Sequence, residues 1–218
     1  MMFEHLGSRC KCTIIIFAAS LMFSALPVIA ADEGARIPSE EKTTVEELAQ
    51  ICSGCHGHKG IPQQKTTPII WGQNEGYLYL QLRDFQKGTR KDPNMSEIVK
   101  DFSRDQVRAL AALFTKLPWP VLNQPAPPAK VTQTAMKSIT AVACFACHQG
   151  EYEGDGTTGR LAGQQKEYLA KTINDFRSRK RGNNPGMSDM MKTLKDDEVE
   201  ALAAYLASLM VDPGSVSH

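Results

Sequence analysis

Apolar positions in this chain recur at helical spacing, and no segment alternates as a strand does. Thr44 and Glu47 form a capping box ahead of Val45, Leu48 and Cys52, which share one helical face. Ser103 and Gln106 open a later amphipathic segment in the same way, with Val107 and Leu110 on its apolar side. Asp196, Asp197 and Glu198 crowd the start of another, bearing Val199 and Leu202, where the helix dipole favours negative charge. Two stretches depart from this pattern. Ile14 to Ala30 is a continuous apolar run behind Arg9 and Lys11, ending in the small residues Ala30 and Ala31, the layout of an export signal. It predicts a signal peptide over residues 1–30 with cleavage after Ala30; a retained anchor is the alternative, because Thr13 to Ala31 approaches the roughly 20 residues that span a bilayer. Pro118 to Lys130 holds Pro118, Pro120, Pro125, Pro127 and Pro128, which exclude helix and predict an extended, semi-stiff linker.

The segments flanking that linker are copies of each other. Cys52, Cys55 and His56 correspond to Cys144, Cys147 and His148 at a constant offset of 92 residues, and the same offset takes Met95 to Met187. Between them, at an offset of 91, Gly72-Gln73 matches Gly163-Gln164, Tyr77-Leu78 matches Tyr168-Leu169, and Phe85 matches Phe176. One inserted residue before Met187 restores 92. Val107 and Leu110 then match Val199 and Leu202 in closing helices. Each copy therefore predicts a short helix ending at the cysteine motif, an irregular loop, a middle helix, a methionine loop and a final helix. The expected domains are 31–117 and 131–218, joined by the linker 118–130.

The repeated motif is C-x-x-C-H, as Cys-Ser-Gly-Cys-His and Cys-Phe-Ala-Cys-His. Two thiols one helical turn apart can add to the two vinyl groups of a haem, and the histidine that follows is thereby aimed at the iron. Structural disulfides, a thioredoxin-like redox pair and a zinc site account for the cysteines but not for the two histidines. Cys10 and Cys12 precede the apolar run and leave with the leader. The cofactors expected are two covalently bound haem c groups, attached through Cys52, Cys55, Cys144 and Cys147. The expected iron ligands are His56 with Met95 and His148 with Met187. A thioether is a soft neutral donor that favours ferrous iron, raises the potential and fills the last coordination position. Met190 and Met191 are rival ligands outside the repeat register.

Composition narrows the partners. The chain has 218 residues with 25 Lys and Arg against 24 Asp and Glu; losing Glu4, Arg9 and Lys11 with the leader leaves 23 of each, which argues against nucleic acid as a partner. Basic residues do gather ahead of each methionine, as Arg83, Lys87, Arg90 and Lys91 and as Arg177, Arg179, Lys180 and Arg181. They read either as a solvated helix face or as groups that neutralise haem propionates and steer an acidic partner. Tyr77 and Tyr168 read as core residues with a polar tip, His58 as exposed, and Trp71 as a core side chain or one packed on the first haem.

Over roughly Thr43 to Met210 these elements resemble the class I dihaem cytochromes c of the cytochrome c4 type. The resemblance implies an all-α fold of two tandem class I cytochrome c domains packed about a pseudo-twofold axis. It also implies a periplasmic shuttle of single electrons with no catalytic residues of its own. Expected partners are a cytochrome oxidase, a quinol–cytochrome c reductase, a cupredoxin or a dehydrogenase, with peripheral membrane association a possible addition. The alternatives are a cytochrome subunit of a dehydrogenase, or a dihaem enzyme such as a thiosulfate dehydrogenase or peroxidase, which would want an open iron position. Members of the family carry a proline whose carbonyl receives the histidine's second ring hydrogen. Pro68 fits, but its counterpart is Gly159, so the second histidine is expected to be held less firmly and the two potentials to differ.

Overall fold

The computed structural model describes residues 43–210, so residues 1–42, on which the expected leader 1–30 and its cleavage after Ala30 fall, and residues 211–218 lie outside it. The described residues are helical without strands, and no helix among them is long and apolar enough to cross a membrane. The first copy contains α1 (Val45–His56), α2 (Glu75–Lys87), α3 (Pro93–Val99) and α4 (Arg104–Thr115). The second contains α5 (Ala129–Val142), α6 (Phe145–His148), α7 (Lys166–Arg177), α8 (Pro185–Met191) and α9 (Asp196–Ser208).

Local chemistry sets the helix starts. Both capping boxes form, at Thr44 with Glu47 and at Ser103 with Gln106, and the acidic residues Asp196, Asp197 and Glu198 occupy the first turn of α9. The methionines are a correction: they sit on short helices rather than in loops. Pro93 and Pro185 stand at the first helical position, and Asp92 and Asn184 accept from Met95 N–H and Met187 N–H respectively. Proline at this position forfeits only an N–H that would be unpaired anyway.

Each copy has its own core. In the first, α4 packs across α1 and α2 and buries Leu110 among Leu48, Leu78 and Phe114. In the second, α9 packs across α5 and α7 and buries Leu202 among Ile139, Leu169 and Phe176. Matching turns join the layers: Gly72 N–H donates to Phe114 O at 2.9 Å and Gly163 N–H to Leu206 O at 3.0 Å. Both glycines have φ near +70° (65° and 71°), a region costly to residues with a Cβ.

The copies differ at the cysteine motif. In the first, α1 runs unbroken from Val45 through His56. In the second, the helix stops at Val142, Ala143 takes φ 51°, and α6 restarts for a single turn. The extended linker does more than space the two copies. Trp119 is buried beneath the Arg160 guanidinium, 5.3 Å from its ring centroid. The Gln124 side-chain amide donates to Gln164 O and Ala207 O and accepts from Lys166 N–H, at 2.9 to 3.1 Å.

Candidate functional site

A cavity of about 1170 Å³ runs through the protein, and its walls carry Cys52, Cys55, His56 and Met95 together with Cys144, Cys147, His148 and Met187. Every residue expected to hold a haem therefore faces one continuous space. Met190 and Met191 also reach it, Met191 as part of the second core. His58 is exposed and Trp71 packs against Gly60 in the first core, both away from the lining.

The histidines are prepared as ligands. His56 Nδ1–H donates to Pro68 O and His148 Nδ1–H to Gly159 O, each at 2.8 Å. A carbonyl can only accept, so the lone pair of each ring sits on Nε2. The equal lengths remove the expectation that the second histidine is held more loosely: a main-chain acceptor serves equally well from glycine. Burial lowers the pKa of both rings and outweighs the opposing pull of those carbonyls, so both are neutral near pH 7. Cys52 and Cys144 are half-buried, and burial pushes the Cys52 thiol up to about 11 and the Cys144 thiol upward as well. Such thiols are poorly nucleophilic at neutral pH, the opposite of a thioredoxin-like pair.

At the junction of the copies lie residues whose roles are not legible locally. Arg90, on the first copy, donates to Tyr168 Oη on the second at 3.0 Å, and Arg181, on the second, donates to Tyr77 Oη on the first at 3.2 Å. Each guanidinium also covers a phenylalanine of its own copy, Arg90 over Phe85 at 4.6 Å and Arg181 over Phe176 at 4.4 Å. Both arginines donate to Gln81 Oε1, at 2.9 and 2.7 Å. The basic clusters thus do not form one solvated face: these two arginines are withdrawn into the junction, whereas Lys87, Lys91 and Lys180 stay exposed. Arg177 and Arg179 pair with Asp196 and Asp189. The tyrosines are junction residues too. Burial would raise the Tyr168 phenol, but the charges of Arg90 and Arg181 and hydrogen bonds from Arg90 and Thr172 overcome it and bring the pKa down to about 7. That corner of the cavity is built to receive negative charge. A haem, with its flat apolar body and carboxylate edge, fits these walls: sulfur and imidazole donors at one place, guanidinium groups at another.

The two Gly-Gln motifs add further bonds across the junction. Gln164 Oε1 accepts from Ile69 N–H at 2.8 Å and its Nε2 donates to Ile69 O at 3.0 Å. Reciprocally, Gln73 Oε1 accepts from Arg160 N–H at 2.7 Å and its Nε2 donates to Arg160 O at 3.1 Å. The following residues add Asn74 Nδ2 to Thr158 O at 2.7 Å and Gln165 Nε2 to Thr67 O at 2.8 Å. All four of these amides are buried. Their only sequence signal was the matched pair of polar residues ahead of each middle helix.

Residues 133–210 match the cytochrome c family model. The thiosulfate dehydrogenase electron acceptor of Stutzerimonas stutzeri is 30% identical over 74% of this chain and 80% of its own length. The chain belongs to the cytochrome c4-type dihaem cytochromes c. Cytochrome c4 of Azotobacter vinelandii is 29% identical over 74% of this chain and 85% of its own. The crystal structure of reduced recombinant cytochrome c4 from Pseudomonas stutzeri superposes with a TM-score of 0.68 at 27% identity, covering 76% of this chain and 96% of that one. As a cytochrome c4-type protein, the chain is an electron-transfer protein with two tandem domains and two covalently bound haem c groups.

Proposed function

We propose that this chain is a carrier rather than an enzyme, with His56 and Met95 on the first iron, His148 and Met187 on the second, and thioethers at Cys52, Cys55, Cys144 and Cys147. The observation that carries the reading is the pair of buried, neutral imidazoles, each with Nδ1–H committed to a carbonyl, on the wall of a cavity that also presents all four cysteines and both methionines. The bound haems supply reversible one-electron chemistry at iron. The chain's own part is to keep each imidazole in a single tautomer, supply a neutral thioether, and exclude water with the apolar walls of its two cores. Met95 and Met187 would fill the position opposite each histidine, so the bound haems would supply outer-sphere electron exchange and leave no open position for a substrate.

In this reading the protein is exported by the leader 1–30 and works in the periplasm as domains 31–117 and 131–218 joined by 118–130. It takes single electrons from a membrane or periplasmic donor and passes them to a terminal oxidase or reductase. The name of the Stutzerimonas relative makes a dehydrogenase a suitable donor. Carbon monoxide tests the ligation. The reduced holoprotein is expected not to bind the gas, whereas Met95→Ala and Met187→Ala should each convert one haem of the two to a gas-binding form, read by visible spectroscopy. Ready binding by the unaltered protein would favour an enzyme with an open iron.

A further inference from the structure

We propose that each iron-facing histidine is positioned by a glutamine of the opposite domain: Gln164 sets His56, and Gln73 sets His148. The proposal rests on the ligand assignment above and adds what holds those ligands. Pro68 C=O and Ile69 N–H belong to one planar peptide unit. Its oxygen accepts from His56 Nδ1–H, and its N–H donates to Gln164 Oε1. Gly159 C=O and Arg160 N–H form the equivalent unit, fixed by His148 at the oxygen and by Gln73 at the nitrogen. Because the two ends of a peptide turn together, the amide that grips the N–H also fixes the direction of the carbonyl that orients the histidine.

Three features make the grip specific. Each glutamine is bidentate, its Nε2 holding the next carbonyl along, Ile69 O or Arg160 O. Each has 3% or less of its surface exposed, so water cannot readily replace it. Each is backed by a neighbour, since Gln165 holds Thr67 O and Asn74 holds Thr158 O, one residue before the orienting carbonyl. The resulting chain runs from imidazole N–H to carbonyl, through the peptide, to N–H and the amide oxygen. Donation at the far end makes the near carbonyl a better acceptor, by about 10–30% per bond. A stronger bond at Nδ1 makes the imidazole a more basic ligand, which favours ferric iron and lowers the potential.

The consequence is a crossed effect. In the holoprotein, Gln164→Leu should raise the potential of the haem in the first domain and leave the second nearly unchanged, and Gln73→Leu should do the reverse. The expected size is threefold to tenfold in the one-electron equilibrium, tenfold being about 59 mV. Spectroelectrochemical titration reads both waves, with Met95→His and Met187→His each marking the wave of its own domain. Exchange of the histidine Nδ1 protons, followed by NMR in the reduced protein, gives a marker-free readout: Gln164→Leu should speed exchange at His56 and spare His148. Spectrally intact variants that shift the wave of their own domain, both waves equally, or neither would overturn the proposal. If the leucine variants do not accumulate, Gln165→Ala and Asn74→Ala must give the same crossed pattern at smaller size, and its absence there is equally fatal. Marker substitutions that move no wave would sink the ligand assignment instead, and the proton-exchange pattern would still decide the positioning.

Discussion

The two copies match in most of the contacts they exchange with each other, and differ more freely elsewhere. Ile69 and Arg160, Gln73 and Gln164, Tyr77 and Tyr168, and Arg90 and Arg181 all obey the offset of 91 and make reciprocal contacts, and Phe85 and Phe176 back the two arginines within their own copies. Away from the junction, α1 is continuous while α5 breaks at Ala143. At the junction itself, Asp84 accepts from Asn183 of the other copy, whereas its counterpart Asp175 is tied to Lys171 within its own helix. A contact that occurs twice, reciprocally, constrains both copies, so both sequences keep it. A contact that occurs once constrains only one.

Gln81 shows the limit of that rule. Its amide oxygen receives Arg90, Arg181 and Asn183, so it stands where the two copies meet, and Thr172 is its counterpart in the repeat. A side chain at such a place cannot be duplicated without a clash. The inserted residue ahead of Met187 falls at the same spot: Asn183 donates to Gln81 and Asp84 and accepts from Arg181. The extra residue is what lets the second copy reach across, and it makes the surroundings of the two haem sites unequal.

The sharpest way to break the equivalence is to remove one haem. Cys144→Ser with Cys147→Ser should cost one of the two haem equivalents and much of the helicity of the second copy, measured by haem assay and circular dichroism. Domains of about 80 residues bury little apolar area without such a centre. Native helicity in that variant would show that the second core stands alone. Next in size, Leu110→Ala and Leu202→Ala delete equivalent side chains, each with no more than 1% of its surface exposed. Each should cost about 2–5 kcal/mol. Because the glutamine bridges tie the domains together, calorimetry should show either variant lowering one shared transition, and two separated transitions would mean that the junction is weak. The smallest effect is expected at the break between α5 and α6. Ala143 holds a left-handed conformation at φ 51° that costs a residue with a Cβ about 1–2 kcal/mol. Ala143→Gly should recover roughly 1 kcal/mol or less, since glycine also loosens the unfolded chain, and chemical denaturation would read it.

Much of this was legible in the residues. The capping boxes were, because a cap joins groups three residues apart. The haem motifs were, because their spacing is set by the reagent they capture. The short helices under Met95 and Met187 could have been read from Asp92-Pro93 and Asn184-Pro185, where a capping side chain precedes a proline, but the surrounding polar residues read as loop. Nothing local separates Arg90 and Arg181 from their exposed neighbours, since charge density along the chain carries no sign of burial.

By itself the sequence determined that two helical domains of one kind would each surround a covalently bound haem, since helical period, caps and the C-x-x-C-H spacing are properties of neighbouring residues. Only the tertiary structure decided that the domains complete each other. Gln73 lies 87 residues from Arg160 and Gln164 lies 95 from Ile69. A hydrogen bond depends on distance in space, and folding alone brings such residues within 3 Å.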